Sequence, residues 1–131
     1  MLASKLTTKI LGEEGEDRAL RHLLAQGLVL VERNYRVAKG PSARGAEIDL
    51  IMRDRDGTLV FVEVRQRKST DQGGAAASVG RTKQQRCIRG AQHYLMGLRN
   101  PNDWPPCRFD VVAIDGEDLN WIVAAFDAGG R

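Results

Sequence analysis

Three side chains with chemical potential lie close together in the sequence: Asp49, Glu63 and Arg65, all within Arg44–Lys68, RGAEIDLIMRDRDGTLVFVEVRQRK. This stretch predicts two antiparallel strands joined through Asp56-Gly57. Strand side chains alternate with period two, so Ile48, Leu50 and Met52 should share one face and Glu47, Asp49 and Ile51 the other. On the second strand Val60, Val62 and Val64 oppose Leu59, Phe61, Glu63, Arg65 and Arg67. Placing both wholly apolar sets on one side fixes the parity of the register. An odd loop such as Arg55-Asp56-Gly57, with positive φ at Gly57, then sets Asp49 directly across from Glu63. Two carboxylates so placed repel each other and weaken the sheet unless compensated. A divalent cation would compensate them, and so would Arg65 on the same face. The alternative is a solvated face whose acids confer only solubility. Because Ile51, Leu59 and Phe61 share that face, and buried carboxylates are costly unless paired or metal-bound, the metal reading is preferred.

Further polar residues fall where a core is expected. Glu16 sits on the inward stripe of a first helix, one turn before Leu20, although a glutamate in a first turn can simply favour the helix dipole. Gln84 opens the inward stripe of a second helix ahead of its apolar residues. Arg65, Arg67, Lys68, Arg81, Lys83, Arg86 and Arg89 fall within 25 positions, with Asp71 the only acid among them. The net charge of +3 says little about partners by itself; this clustering suggests a phosphate-binding surface, while each charge taken singly fits a solvated helix face. His22 reads as a surface residue and His93 as structural. Trp104 and Trp121 read as core or capping aromatics.

The elements that must position these groups follow from periodicity and breakers. Residues 1–8 read as a loose tail, and Lys9 to Gln26 as a helix with Glu16, Leu20, Leu23, Leu24 and Gly27 on one stripe, ended by Gly27. Leu28 to Val37 reads as a strand and Lys39 to Arg44 as a loop broken at Gly40-Pro41. After the central hairpin, Ser69 to Gly80 is rich in small residues: a floppy connection or a segment that orders on a ligand. A helix from Arg81 to Leu98 carries Gln84, Cys87, Ile88, Ala91, Leu95 and Leu98 inward, with Arg81, Arg86 and Arg89 exposed and Lys83 at the edge. Arg108–Ile114 and Leu119–Phe126 read as closing strands joined through Asp115-Gly116, and the last residues as frayed. The order α-β-β-β-α-β-β predicts an α/β sandwich, one mixed sheet flanked by helices.

With 131 residues the chain makes a single domain, residues 1–131 with an ordered core over about 9–126. Its 42% hydrophobic and 28% charged fractions are those of a soluble globular protein. It has no apolar run long enough for a membrane span and no secretory signal, so a cytoplasmic location is expected. Cys87 and Cys107, in no metal spacing, are expected to be reduced thiols.

The motifs resemble a known family. An acid at Asp49 followed, about a dozen residues later, by Glu63-Val64-Arg65 resembles the PD-(D/E)xK nuclease superfamily. The fuller set looks like the YraN family, uncharacterised bacterial proteins resembling Holliday-junction resolvases and restriction endonucleases. That set is Gly15-Glu16-Asp17 with Ala19, Arg33-Asn34-Tyr35-Arg36, Glu47-Ile48-Asp49-Leu50-Ile51, Phe61-Val62-Glu63-Val64-Arg65, Lys83-Gln84 and Arg108-Phe109-Asp110-Val111-Val112. The match runs from about Gly12 to Phe126. The resemblance implies a restriction-endonuclease-like fold with catalytic residues Glu16, Asp49, Glu63, Arg65 and Gln84, of which Asp49 and Glu63 hold the metal and Glu47 assists. All-oxygen ligation suits Mg²⁺ or Mn²⁺. Arg65, Arg67, Lys68, Arg81, Lys83 and Arg86 would contact nucleic acid, DNA rather than RNA, with a homodimer placing two sites on two strands. Two departures stand out. An extra residue precedes Glu47 in Gly-Ala-Glu-Ile-Asp, and Arg65 replaces the superfamily's lysine; arginine stays protonated and cannot serve as a general base. The competing readings are a non-catalytic nucleic-acid-binding module on the same fold and an adaptor for another protein. An aromatic content of 5% argues against single-strand recognition by base stacking.

Overall fold

The computed structural model describes residues 2–41, 44–67, 79–98 and 104–128, with side chains from residue 14 onward. The element order is α1 (Leu2–Ala25), β1 (Val29–Val37), β2 (Ala46–Arg53), β3 (Leu59–Arg67), α2 (Arg81–Met96), β4 (Cys107–Asp115) and β5 (Asp118–Phe126). This is the expected α/β order. The strands form one sheet in the order β1-β2-β3-β4-β5, parallel between β3 and β4 and antiparallel elsewhere. The parallel pair follows from α2, which carries the chain from the end of β3 back to the start of β4. No helix among the described residues is long and apolar enough to cross a membrane.

The helices cover opposite faces. Ala19 and Leu23 of α1 pack on Leu50, Met52, Val60, Val62, Val112 and Ile114, whereas Cys87, Ala91 and Leu95 of α2 pack on Ile48, Ile51, Leu59, Phe61 and Phe109. Full burial of such an aliphatic side chain contributes about 1.5–3 kcal/mol, so these two layers carry most of the fold. The helix α1 begins at Leu2 rather than near Lys9, since no glycine or proline interrupts the sequence before Gly12. Gly27, at φ 98°, ends it as expected. Leu24, expected on the inward stripe, is 46% exposed; Ala19 and Leu23 take the inner positions. Lys68 and most of Ser69 to Gly80 lie outside the described residues.

The central hairpin has the expected loop. Asp54 and Thr58 bracket Arg55-Asp56-Gly57, with the Asp54 N–H donating to the Thr58 carbonyl at 2.9 Å and Gly57 at φ 88°. Pairing runs from Arg53↔Leu59 to Leu50↔Val62, and Asp49 and Glu63 are the next residues along the two strands, close enough for each to act on the other's ionisation. One expectation fails: Ile48 does not share a face with Leu50 and Met52. It packs under α2, where a Cβ added to Gly90 would lie 2.9 Å from its Cγ1. The cause lies on β1. Asn34 has φ 55°, a left-handed conformation that asparagine tolerates better than most residues. Arg33, paired with Leu50, reaches α1, whereas Tyr35, paired with Ile48, packs against Tyr94 of α2. Both strands therefore change face at one step, and the residue standing across from Asn34 there is Asp49.

Candidate metal and nucleic-acid site

Beyond Leu50 and Val62 the β2–β3 ladder gives way, although β3 stays paired with β4 through Arg67. Asp49 stands at this parting. Its Oδ2 accepts the Val64 backbone N–H at 2.7 Å, doing for β3 what a main-chain carbonyl would do in an unbroken ladder. Glu63, 13% exposed, lies close enough to feel the Asp49 charge. Burial raises the pKa of both. For Asp49 the Val64 N–H opposes that rise, while the charges of Glu16 and Glu47 add to it. For Glu63 the Asp49 charge adds to the rise, and the cations Arg65 and Lys83 oppose it. The pair is thus a site of negative potential that Arg65 and Lys83 offset only in part, held by two strands that part at it.

The other expected site residues divide. Glu16 stands on α1 close enough for Asp49 to feel its charge, held by Arg33 at 3.5 Å, while Asp17 takes the same arginine at 2.6 Å. Arg65 Nη1 lies 4.0 Å from Glu63 Oε1. Glu47 is occupied by Arg86 at 3.2 Å and Arg36 at 3.5 Å, a bridge that fixes the flank of α2 against β2. Arg89, expected on the exposed face of α2, is half-buried and donates from Nη2 to the Gly45 carbonyl at 3.1 Å, anchoring the strand entry where the extra residue stands.

Gln84 does not join the carboxylates. Its Nε2 donates to the Val79 carbonyl at 3.1 Å, and its side chain lines a cleft against β5. The residue of α2 that does join them is Lys83, one position earlier and expected only at a nucleic-acid surface. Lys83 lies one helical turn before buried Cys87, which packs with Phe61 and whose thiol is pushed up first by burial and then by Glu63 and Asp49. Burial and then the neighbouring Arg65 lower the Lys83 pKa, with Glu63 and Asp49 opposing. The Lys83-Gln84 pair was visible in the sequence; which of the two faces the sheet depends on the roll of the helix.

Sequence reasoning also passed over Asp110, which is fully buried on β4. It accepts from Arg108 Nε at 3.1 Å, the Trp121 indole Nε1 at 2.9 Å and the Ala124 backbone N–H at 2.9 Å. Arg108 continues to Asp54 at 2.7 Å, tying β4 to the hairpin turn. An acid inside the apolar run Phe109–Ile114 was the available signal. His93 is structural as expected, its Nδ1 bonded to the Tyr35 hydroxyl. His22 is not simply a surface residue: its ring meets Trp121 edge-on with centroids 6.1 Å apart.

Among the described residues no three Asp, Glu, His or Cys side chains converge as a ready-made metal cage. Two carboxylates at one point nonetheless fit the habit of Mg²⁺ and Mn²⁺, which keep several waters and recruit substrate phosphate to complete their shell.

The chain matches a family model described as "Uncharacterised protein family UPF0102" over residues 15–114, a span that includes Glu16, Asp49, Glu63, Arg65 and Lys83. It is 65% identical over 123 residues to a UPF0102 protein of Methylibium petroleiphilum, covering 94% of this chain and 98% of that protein. A UPF0102 protein of an Acidovorax species is 57% identical, covering 93% of this chain and 88% of that protein. One from Paracidovorax citrulli is 55% identical, with 97% and 90% covered. A model matched over most of the chain and relatives this similar over nearly their full length place it: the protein belongs to the UPF0102 (YraN) family.

Proposed function

We propose that this protein is a Mg²⁺- or Mn²⁺-dependent nuclease that hydrolyses phosphodiesters in structured or branched DNA. The observation that carries this reading is the placement of Asp49 and Glu63 where β2 and β3 part, both resisting ionisation, with Arg65 and Lys83 beside them. A fold has little use for two half-buried acids at one point unless a cation or substrate neutralises them. The metal, when bound, supplies an activated water and neutralises charge developing on the phosphate. Asp49 and Glu63 would hold it, and Glu16 adds negative potential from α1. Arg65 remains protonated and clamps a phosphate oxygen, stabilising the pentacovalent transition state. Lys83 differs: burial and the nearby Arg65 ease loss of its Nζ proton, so of these two cations it alone can exchange a proton with the attacking water or the leaving oxygen.

Calorimetry with Mn²⁺ and Mg²⁺ on wild type and Asp49→Ala, followed by cleavage assays on nicked, flapped and four-way DNA, tests the reading. Metal binding and cleavage that both vanish in Asp49→Ala support it; cleavage that survives Asp49→Ala or Glu63→Ala refutes the site. The lack of a three-ligand cage among the described residues favours a second reading, a non-catalytic nucleic-acid-binding module. Steeply salt-dependent DNA affinity without cleavage in either metal would establish it instead.

A further inference from the structure

On the α2 side of the sheet, a cleft of about 490 Å³ opens between the start of α2 and the end of β5. Arg81, Gln84, Gln85 and Ile88 form its helical wall, and Ala125 and Phe126 face them from β5. Its volume is in the range of clefts that enclose small organic groups. Its β5 wall is built at a cost. Ala124 has φ 52°, in the left-handed region, and the β4–β5 register slips between Phe109 and Val111. A non-glycine residue held there costs about 1 kcal/mol or more and persists only where its surroundings over-determine it. Here buried Asp110 does so, taking the Ala124 N–H on one oxygen and the Trp121 indole on the other. Bulges of this kind concentrate beside functional sites, where they turn a strand end away from its ladder.

We infer that this cleft receives one unpaired nucleobase of the nucleic acid whose phosphodiester lies at Asp49 and Glu63; the inference rests on the nucleic-acid reading above. The lining matches a base better than a phosphate. Asp127 lines the cleft together with Arg81, so its charge does not select an anion. The Gln84 amide, oriented by its bond to the Val79 carbonyl, keeps Oε1 as an acceptor, and exposed Gln85 supplies both donor and acceptor. Such side-chain amides pair with the edges of bases. Ile88 and Phe126 give the flat faces of a base an apolar wall, and Phe126 is held in place by stacking on Phe109 at 5.1 Å. The cleft and the carboxylates are neighbours along α2: Glu63 feels the charge of Lys83, and the adjacent Gln84 lines the cleft. The substrate so selected has an unpaired nucleotide beside the scissile phosphate, as a flap, bulge or branch point provides.

The test uses a flapped DNA with 2-aminopurine at successive unpaired positions and fluorescein on the far 5′ end, with a non-hydrolysable phosphorothioate at the branch and Mg²⁺ present, and repeated in EDTA. Anisotropy reports binding, and base emission reports the environment of the unpaired base. Wild type should change the emission by about twofold or more at one position next to the branch. Ala125→Leu, which fills the cleft from an exposed strand position, should abolish that change while altering the anisotropy affinity by less than about threefold, since phosphate contacts dominate affinity. Gln85→Ala should weaken discrimination among unpaired bases at that position. Binding by anisotropy with unchanged emission at every unpaired position, or an undiminished change in Ala125→Leu, overturns the cleft assignment alone. No binding by anisotropy overturns the nucleic-acid reading and the cleft with it.

Discussion

Replacing Glu63 by glutamine should stabilise the metal-free protein at alkaline pH while removing its metal site. Asp49 and Glu63 both bind their protons more tightly in the fold than in the unfolded chain, where their ordinary values are 3.8 and 4.5. Between those values and the folded ones the native state carries the extra protons, so stability falls as pH rises through that window. In the folded chain Glu63 is pushed up to about 8, first by burial and then by the Asp49 charge. One pKa unit corresponds to about 1.4 kcal/mol, so the Glu63 shift alone sets a ceiling of about 5 kcal/mol. Part of it is the Asp49 charge, and since the two acids titrate together, discounting that share leaves about 2–4 kcal/mol.

The assay is urea denaturation of wild type and Glu63→Gln in EDTA at pH 5 and pH 8. At pH 5 wild-type Glu63 holds its proton and the two proteins should differ little. At pH 8 the variant's midpoint should lie about 1–2 M higher, for a urea slope of about 2 kcal/mol/M. Adding Mn²⁺ should raise the wild-type midpoint by mass action and leave the variant unmoved. Equal midpoints at pH 8, or the same difference at both pH values, would refute the claim that the fold holds these two acids against ionisation.

Gly90→Ala should destabilise by about 1 kcal/mol despite the better helix former: the new Cβ meets Ile48 Cγ1 at 2.9 Å and Cδ1 at 3.0 Å, and overpacking of about 1–3 kcal/mol exceeds the propensity gain. In the double variant with Ile48→Ala, which removes both atoms, the losses should be less than additive; additive losses would show that the contact is not the cause. Asp110→Ala should cost about 3 kcal/mol in urea, because it strands the Trp121 indole and the Ala124 N–H and leaves half-buried Arg108 with Asp54 alone; a loss under about 1 kcal/mol would contradict that network. In single-turnover cleavage Lys83→Met should lower the rate by about 10²-fold or more and flatten its pH profile, and Lys83→Arg should not restore the profile, since arginine keeps its proton. Full rescue by arginine would reduce Lys83 to a fixed charge.

Much of the hairpin could be read from its residues because the physics there is local. Alternation fixed the β3 faces, and Asp56-Gly57 determined an odd loop whose parity brought Asp49 and Glu63 together. The error at Ile48 arose one strand away. Period-two reasoning assumes an unbroken strand, and the left-handed turn at Asn34 reverses the face of its partner as well as its own. Asparagine is among the few non-glycine residues that enter this conformation readily, but an asparagine in a strand-like run usually signals nothing of the kind. The exchange of Gln84 for Lys83 has a different origin. Adjacent helical residues point 100° apart, and the roll of α2 is set by tertiary contacts: Gly90 against Ile48 and Arg86 against Glu47. A stripe of apolar residues fixes that roll only to within about one residue.

The two departures from regular strand geometry point to a common rule in this sheet. Among the described residues, the left-handed non-glycine positions are Asn34 and Ala124. Asn34 stands across from Asp49, whose carboxylate takes the Val64 N–H on the next strand; Ala124 gives its own N–H to Asp110. In each case an acid inside an apolar strand does what a main-chain carbonyl does elsewhere, so a ladder can break without leaving a buried donor unpaired. The consequences differ with the surroundings. Asp110 is neutralised by Arg108 and bonded on both oxygens, which makes it a structural strut. Asp49 receives one backbone N–H and faces a second acid, which leaves its negative charge available to a cation. An acid within an apolar strand thus marks the place where the sheet parts, and the charge opposite it decides whether that place bears structure or chemistry.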